Sequence, residues 1–472
     1  MKLDTQDMTK GKPWKLIVLF ALPLLLGNAL QQFYNMTDTF IVGNFGGATP
    51  EESAAAMAGV GVAFPVFFMI ASLFMGLGIG ATIIIAQYKG AQQHENIRRT
   101  VSTMYFMTLV TAIPLGVIGI FISRPLLEII NVSESIMPQA QSYLMVILGG
   151  LVFTFGYNVN AGVLQGLGDG KTSLLFLGIS TLINIVLDLV FVLVFRLGAL
   201  GVGIATIIAQ AAAWLFGFYY INRKYPQYRI SLLHIGFDKA ILKQAVKLGL
   251  PAGLQQMLFS IGVLAMSALI NSYDDAFVSG FTAANKIDSF AFMPITSFAS
   301  AATTFVGQNV GAGRMDRVRQ GTRSAIILAI TVSVAICLLI YPLSGFLMSL
   351  FNKSPDVIDA GCQYLYRILP FYWMLAITFT LNGVLRGAGS AIAPMVSATV
   401  SLWLARVPAA YLLASLGKNE IFWCFAIGWI PGILISGGYY LSGRWKNKCI
   451  VTGAVPAAED TDSPLTPGSG DI

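Results

Sequence analysis

Asn28-Ala29-Leu30-Gln31-Gln32-Phe33-Tyr34-Asn35-Met36-Thr37-Asp38-Thr39 continues an apolar run that begins at Trp14. Asn28, Gln31, Asn35 and Asp38 are spaced three, four and three, so on a helix they form one polar stripe ending in a carboxylate. The rest of that helix is apolar. At membrane depth an acid costs about 3 kcal/mol, whereas each Leu or Ile returns only about 0.5 kcal/mol. Asp38 is therefore the first functional candidate.

Composition carries this reading outward. Of 472 residues, 56% are hydrophobic and only 11% charged, against roughly 25% charged in a soluble domain. The sequence predicts an all-α polytopic membrane protein. Twelve apolar segments fall near residues 14–43, 53–87, 100–122, 138–165, 173–195, 199–222, 240–271, 276–309, 322–345, 357–386, 391–415 and 421–443. Several exceed the ~20 residues that span a bilayer, so tilt or kinks are expected. The first segment is too long for a removable leader and is read as the first helix.

The net charge of +7 does not mark a nucleic-acid binder, because its distribution follows topology. With both termini on one side, 22 of the 29 Lys and Arg fall on that side, and Arg124, Arg196, Lys353 and Lys418 on the other. The positive-inside rule then places both termini in the cytoplasm. The four cysteines are scattered, without a C-x-x-C pair, and read as apolar filler. His94 and His234 lie in predicted loops, which excludes a histidine metal site within the membrane.

Comparing the halves reveals a repeat. Gln87-Tyr-Lys-Gly90-Ala91 recurs as Gln308-Asn-Val-Gly311-Ala312, and Val163-Leu-Gln-Gly166-Leu-Gly168 as Val384-Leu-Arg-Gly387-Ala-Gly389, each displaced by 221. Leu22-Pro23 matches Leu250-Pro251 at 228. Two pseudo-symmetric six-helix bundles follow, both entering from the same side, so their axis lies along the membrane normal. The expected organisation is an N-terminal lobe over 1–222, a linker over 223–239, a C-terminal lobe over 240–445, and a polar, disordered tail over 446–472. Gly76, Gly78 and Gly80 are read as close-packing positions.

Few charges remain inside the predicted spans: Asp38, Asp188, Lys286, Asp288, Arg367 and Arg406. Asn184 and Asp188 are one turn apart on one face. With Asp38 they offer carboxylate and amide oxygens to a proton or a hard cation such as sodium. At the repeat offsets the second half has Met266, Ala405 and Ala409 in their places, so this set belongs to the first lobe alone. Lys286 and Asp288 point to different faces, and Arg406 has no acid nearby in sequence. Gly166-Leu-Gly168-Asp169-Gly170-Lys171-Thr172 imitates a phosphate loop, but Gln165 stands where the motif needs glycine. Without an ATP site on the chain, an ion gradient is the expected energy source, and a secondary transporter the expected class.

Asn35-Met-Thr-Asp38-Thr-Phe-Ile-Val-Gly43, the Gln87 to Ala91 and Gln308 to Ala312 pair, and the two Val-Leu-x-Gly-x-Gly turns resemble the multidrug and toxic compound extrusion (MATE) family, in its bacterial DinF-like and MepA-like branch. The resemblance extends from about residue 10 to 445. It implies two lobes in a V that alternate between openings and export amphipathic, often cationic compounds against entering protons or sodium ions. Its first-lobe ion site would fall on Asp38, Asn184, Asp188, Thr206 and Asn158. The family's Asn-Gly-x-Leu-Arg-Gly appears at Asn382 to Gly387, whereas the first copy reads Ala161-Gly-Val-Leu-Gln165-Gly166.

Substrate-cleft candidates are Gln31, Tyr34, Asn35, Tyr157, Gln256, Met257, Asp288 and Met293, with Phe33, Phe153, Phe259 and Phe292 beside them. No cofactor is expected beyond the coupling proton or sodium. Expected partners are small amphipathic molecules and the bilayer of a bacterial cytoplasmic (inner) membrane, with no nucleic acid and a monomeric state. Two other classes stay in view. A flippase for lipid-linked precursors would line its cleft with Arg or Lys, and an intramembrane enzyme would need a nucleophile–base pair.

Overall fold

The computed structural model describes residues 6–230 and 236–451. Residues 1–5, 231–235 with His234, and the tail from 452 lie outside the described residues. Among the described residues every regular element is helical. The first half runs α1 (Pro13–Phe45), α2 (Pro50–Gly90), α3 (His94–Ile129), α4 (Met137–Gly149), α5 (Leu151–Gly166), α6 (Gly170–Asp188) and α7 (Gly198–Lys224). The second runs α8 (Lys239–Ile270), α9 (Asp275–Gly311), α10 (Met315–Ser349), α11 (Pro355–Ile368), α12 (Tyr372–Gly387), α13 (Ile392–Thr399), α14 (Val407–Ala414) and α15 (Trp423–Leu441). Eleven spans are long and apolar enough to cross a membrane, and the α4–α5 pair, bent by 52° at Gly150, makes a twelfth. Each of the twelve segments read from the sequence falls on one of these spans, running past its ends by at most two residues.

The helix starts follow local chemistry. Pro50 opens α2, where a missing N–H costs nothing, and Thr49 accepts from the Glu52 N–H at 3.2 Å. Asp238 and Asp274 cap α8 and α9 in the same way. The phosphate-loop imitation has a comparable role. Asp169 caps α6 through Thr172 N and accepts from Lys224 Nζ at 2.9 Å and Tyr225 Oη at 2.8 Å, fastening α6 to the end of α7. Leu182, Val194, Leu338, Leu404 and Leu412 are exposed, as lipid-facing positions must be. At the centre of the second lobe α9 is largely buried.

Small residues bring the halves together. Gly76 and Gly80 of α2 leave no room for a Cβ against Gly249, Gly253 and the Ala245 carbonyl of α8, while Gly78 fits against Asn158 within the first lobe. The spacing of those glycines thus separates two packing faces. Among the described residues, hydrogen bonds between the lobes run from the face carrying both termini only as far as Asn28, whose Nδ2 donates to Ser297 Oγ at 3.1 Å. Toward the other face, Gly46 and Gly59 are packed by their own lobe.

One boundary needs correction. The tail expected to be disordered from 446 continues as a short 3-10 turn over Arg444–Lys448, and Ile450 and Val451 pack against the first lobe. Composition missed this because six residues suffice for the contact.

Candidate ion-coupling site

Asp38 lies two turns before the end of α1, on the side turned into the first lobe. Asp188 is the last α-helical residue of α6, and Leu189–Val194 follow as one wide π turn. Such a turn shifts the phase of the side chains after it and often marks a functional position. Asn184, one turn earlier on the same face, is fully buried, as is Asp188.

The Asn184 amide joins the two acids. Its hydrogen bonds are satisfied when Nδ2 faces the carboxylates, 2.8 Å from Asp38 Oδ1 and 3.2 Å from Asp188 Oδ2. The two carboxyl groups are close enough to act on each other. Tyr34, one turn before Asp38, reaches Asp38 and donates to Thr206 Oγ1 at 3.0 Å. Tyr143 of α4 lies close enough to feel both charges. None of the groups acting on either acid is a Lys, Arg or His. Two like charges so placed cannot both stay ionised without a cation, so the cluster suits the binding of one positive charge.

The structure thus brings Asp38, Asn184, Asp188 and Thr206 together. Asn158 donates to the Thr154 carbonyl of its own helix at 2.8 Å and, among the described residues, to neither acid. Tyr34, expected in the cleft, stands one turn before Asp38 with its hydroxyl on Thr206, and so belongs to the acid cluster in this structure. Tyr143 was missed by the sequence reading: it is one of 17 tyrosines, with no motif around it.

The cleft candidates divide. Gln31, Asn35, Phe33 and Phe259 are exposed; Tyr157, Gln256, Met257, Phe153 and Phe292 are half-buried. Met293 is closed into the interior and is removed from the cleft. Asp288 turns toward Tyr364 of α11 and Arg406, which ends the π turn Val400–Arg406 between α13 and α14. Arg406 thus has an acid from another helix near enough to act on its charge, without an ion pair between them, and its guanidinium lies 4.6 Å from the Phe425 ring centre. Lys286 faces outward, as its two-residue offset from Asp288 requires. Arg367 pairs with Glu420 at 3.1 Å.

Two repeated helical bundles, with acids set among apolar spans, define a polytopic membrane protein. The sequence profile of the MatE family matches residues 23–190 and 251–412, once in each half. The chain belongs to that family. It is 33% identical to the probable multidrug resistance protein YpnP of Bacillus subtilis over 452 residues, covering 95% of this chain and all of the relative. It is 27% identical to the probable multidrug resistance protein NorM of Thermotoga maritima, covering 93% and 94% of the two chains. Among solved structures, an outward-facing multidrug resistance MATE transporter of the MOP superfamily superposes with a TM-score of 0.86 at 24% identity, covering 94% of this chain and all of that one. A MOP superfamily transporter from Pyrococcus furiosus gives 0.84 at 24% identity, covering 93% and 98%.

Proposed function

We propose that this protein is a proton-coupled exporter of amphipathic cationic compounds that works by alternating access of its two lobes, with Asp38 and Asp188 as the coupling pair. The observation that carries the proposal is the meeting of two carboxyl groups around the Asn184 amide with no basic group acting on either. The names of the relatives, multidrug resistance proteins, support the substrate class.

With the pair ionised, the negative potential reaches the adjoining polar stripe of Gln31 and Asn35, where a cationic drug is favoured. Adding a proton removes a charge and with it the drug's affinity. A ligand shifts a conformational equilibrium only through differential affinity, so proton and drug must prefer different states. Asn184, Thr206 and Tyr34 orient the pair. A proton suits the pair because two close carboxyl groups with only neutral partners readily share one. The Asn184 amide can serve either ion, donating from Nδ2 to an ionised carboxylate or presenting Oδ1 to a protonated one or to sodium, for which Asp38, Asn184, Asp188 and Thr206 would be the ligands.

The basic loops favour a bacterial cytoplasmic membrane location with both termini inside, and the protein is proposed to act as a monomer. The test is dye efflux from vesicles under imposed gradients. Efflux should follow a proton gradient and ignore a sodium gradient alone. Efflux driven by sodium only would overturn the proton assignment, and movement of a lipid-linked precursor without cation efflux would favour the flippase.

A further inference from the structure

We propose that Gln87 and Gln308 are the gate residues of the closed face, a pair of amides exchanged between the lobes, each also holding the chain terminus that belongs to the other lobe. The proposal rests on the alternating-access reading above. Gln87 of α2 donates from Nε2 to the Gly387 carbonyl of the second lobe at 2.9 Å, and Gln308 of α9 donates to the Gly166 carbonyl of the first at 3.1 Å. Donors and acceptors are both displaced by 221 residues, so the exchange obeys the repeat. Both glutamines are buried.

The acceptor ends extend the symmetry. Gln308 Oε1 takes the Met8 N–H at 3.0 Å, and Gln87 Oε1 takes the Ile450 N–H at 2.8 Å. Met8 precedes the first lobe yet packs, fully buried, in the apolar core of the second. Val451 follows the second lobe yet packs with the first. Asn309 Nδ2 donates to the Met8 carbonyl at 3.0 Å, Arg314 to Thr9 at 2.8 Å and Arg317 to Gly11 at 2.9 Å. Gly90 and Gly311 have no room for a Cβ against the Gln308 and Gln87 carbonyls. Gly168 and Gly389, with φ of +82° and +92°, are closed in the same way by the Gln6 and Lys448 carbonyls.

A buried side-chain amide that loses its partners is left unsatisfied, so these contacts form or break together rather than by degrees. Parting the lobes at this face pulls Gly387 from Gln87 and Gly166 from Gln308. Both terminal straps must then release, which makes them moving parts of the cycle rather than trailing ends.

Distances between spin labels test this. With the four cysteines replaced by alanine, labels on Glu134→Cys and Lys353→Cys report the separation of the lobes at the opposite face. Gln87→Leu or Gln308→Leu alone should move the ratio of long to short distances about fivefold toward the short state, and the double variant further. Melting temperature serves as the fold check. If folded single variants keep the parental ratio, the gate is overturned while alternating access stands. If the parent shows one distance under every proton gradient, with and without drug, alternating access itself fails and the gate fails with it.

Discussion

In the first lobe Asp38 and Asp188 meet around an amide and, among the described residues, no Lys, Arg or His acts on either, whereas in the second the Arg406 guanidinium, set over the Phe425 ring, lies near enough to act on Asp288 without an ion pair to it. The helices are repeats, and each site sits at a π turn in the same span of its lobe, Leu189–Val194 and Val400–Arg406. The difference lies in the side chains. A fixed guanidinium near an acid offsets part of its charge, so that acid gains less from a mobile cation than two acids with only neutral partners do. Duplication supplied a common frame, and substitution left the pair of acids to one half.

The comparison can be broken at its strongest point first. Asp38→Asn is expected to lower proton-driven dye efflux about 10- to 100-fold, the range of a typical coupling energy, at normal expression. Normal efflux by that variant would remove the residue from the coupling pair. Asp188→Asn should lose as much, and the double variant little more, because the two acids act as one group. Asn184→Ala comes next, with a loss of about fivefold for the hydrogen bonds withdrawn and a changed pH profile of efflux.

The second lobe should respond in stability instead. Arg406→Leu removes the fixed cation that acts on Asp288 and the ring contact with Phe425, and is expected to destabilise the fold by about 1 kcal/mol, read as a lower melting temperature, while the proton dependence of the remaining efflux is unchanged. A changed proton dependence would mean that the second lobe also couples. The smallest effect is expected at the exposed pair Asp274–Lys418, 2.8 Å apart. There the Lys418 ammonium holds the Asp274 carboxyl below its usual range. Its contribution is therefore present at neutral pH and lost as pH falls through that lowered value. Asp274→Asn should barely change melting at pH 7, and not at all in acid.

How far the sequence reached follows from the kind of signal each feature leaves. Twelve spans and the duplication were legible because apolar length and a constant offset are one-dimensional properties. Asp38, Asn184 and Asp188 stood out because polar groups are costly in apolar runs. Tyr143 and the approach of Arg406 to Asp288 were not legible, since each depends on which helix faces which. Tyr34 and Met293 were misplaced because aromatic and methionine side chains serve core and cleft alike. The terminal straps escaped because six-residue contacts made through backbone groups leave no composition signal.

Proton release on drug binding tests the central claim most directly. In weakly buffered solution, purified protein should release about one proton per cationic dye bound, with or without sodium, and Asp38→Asn should bind dye without releasing any. Undiminished release from Asp38→Asn, or no release from the parent protein, would contradict the account.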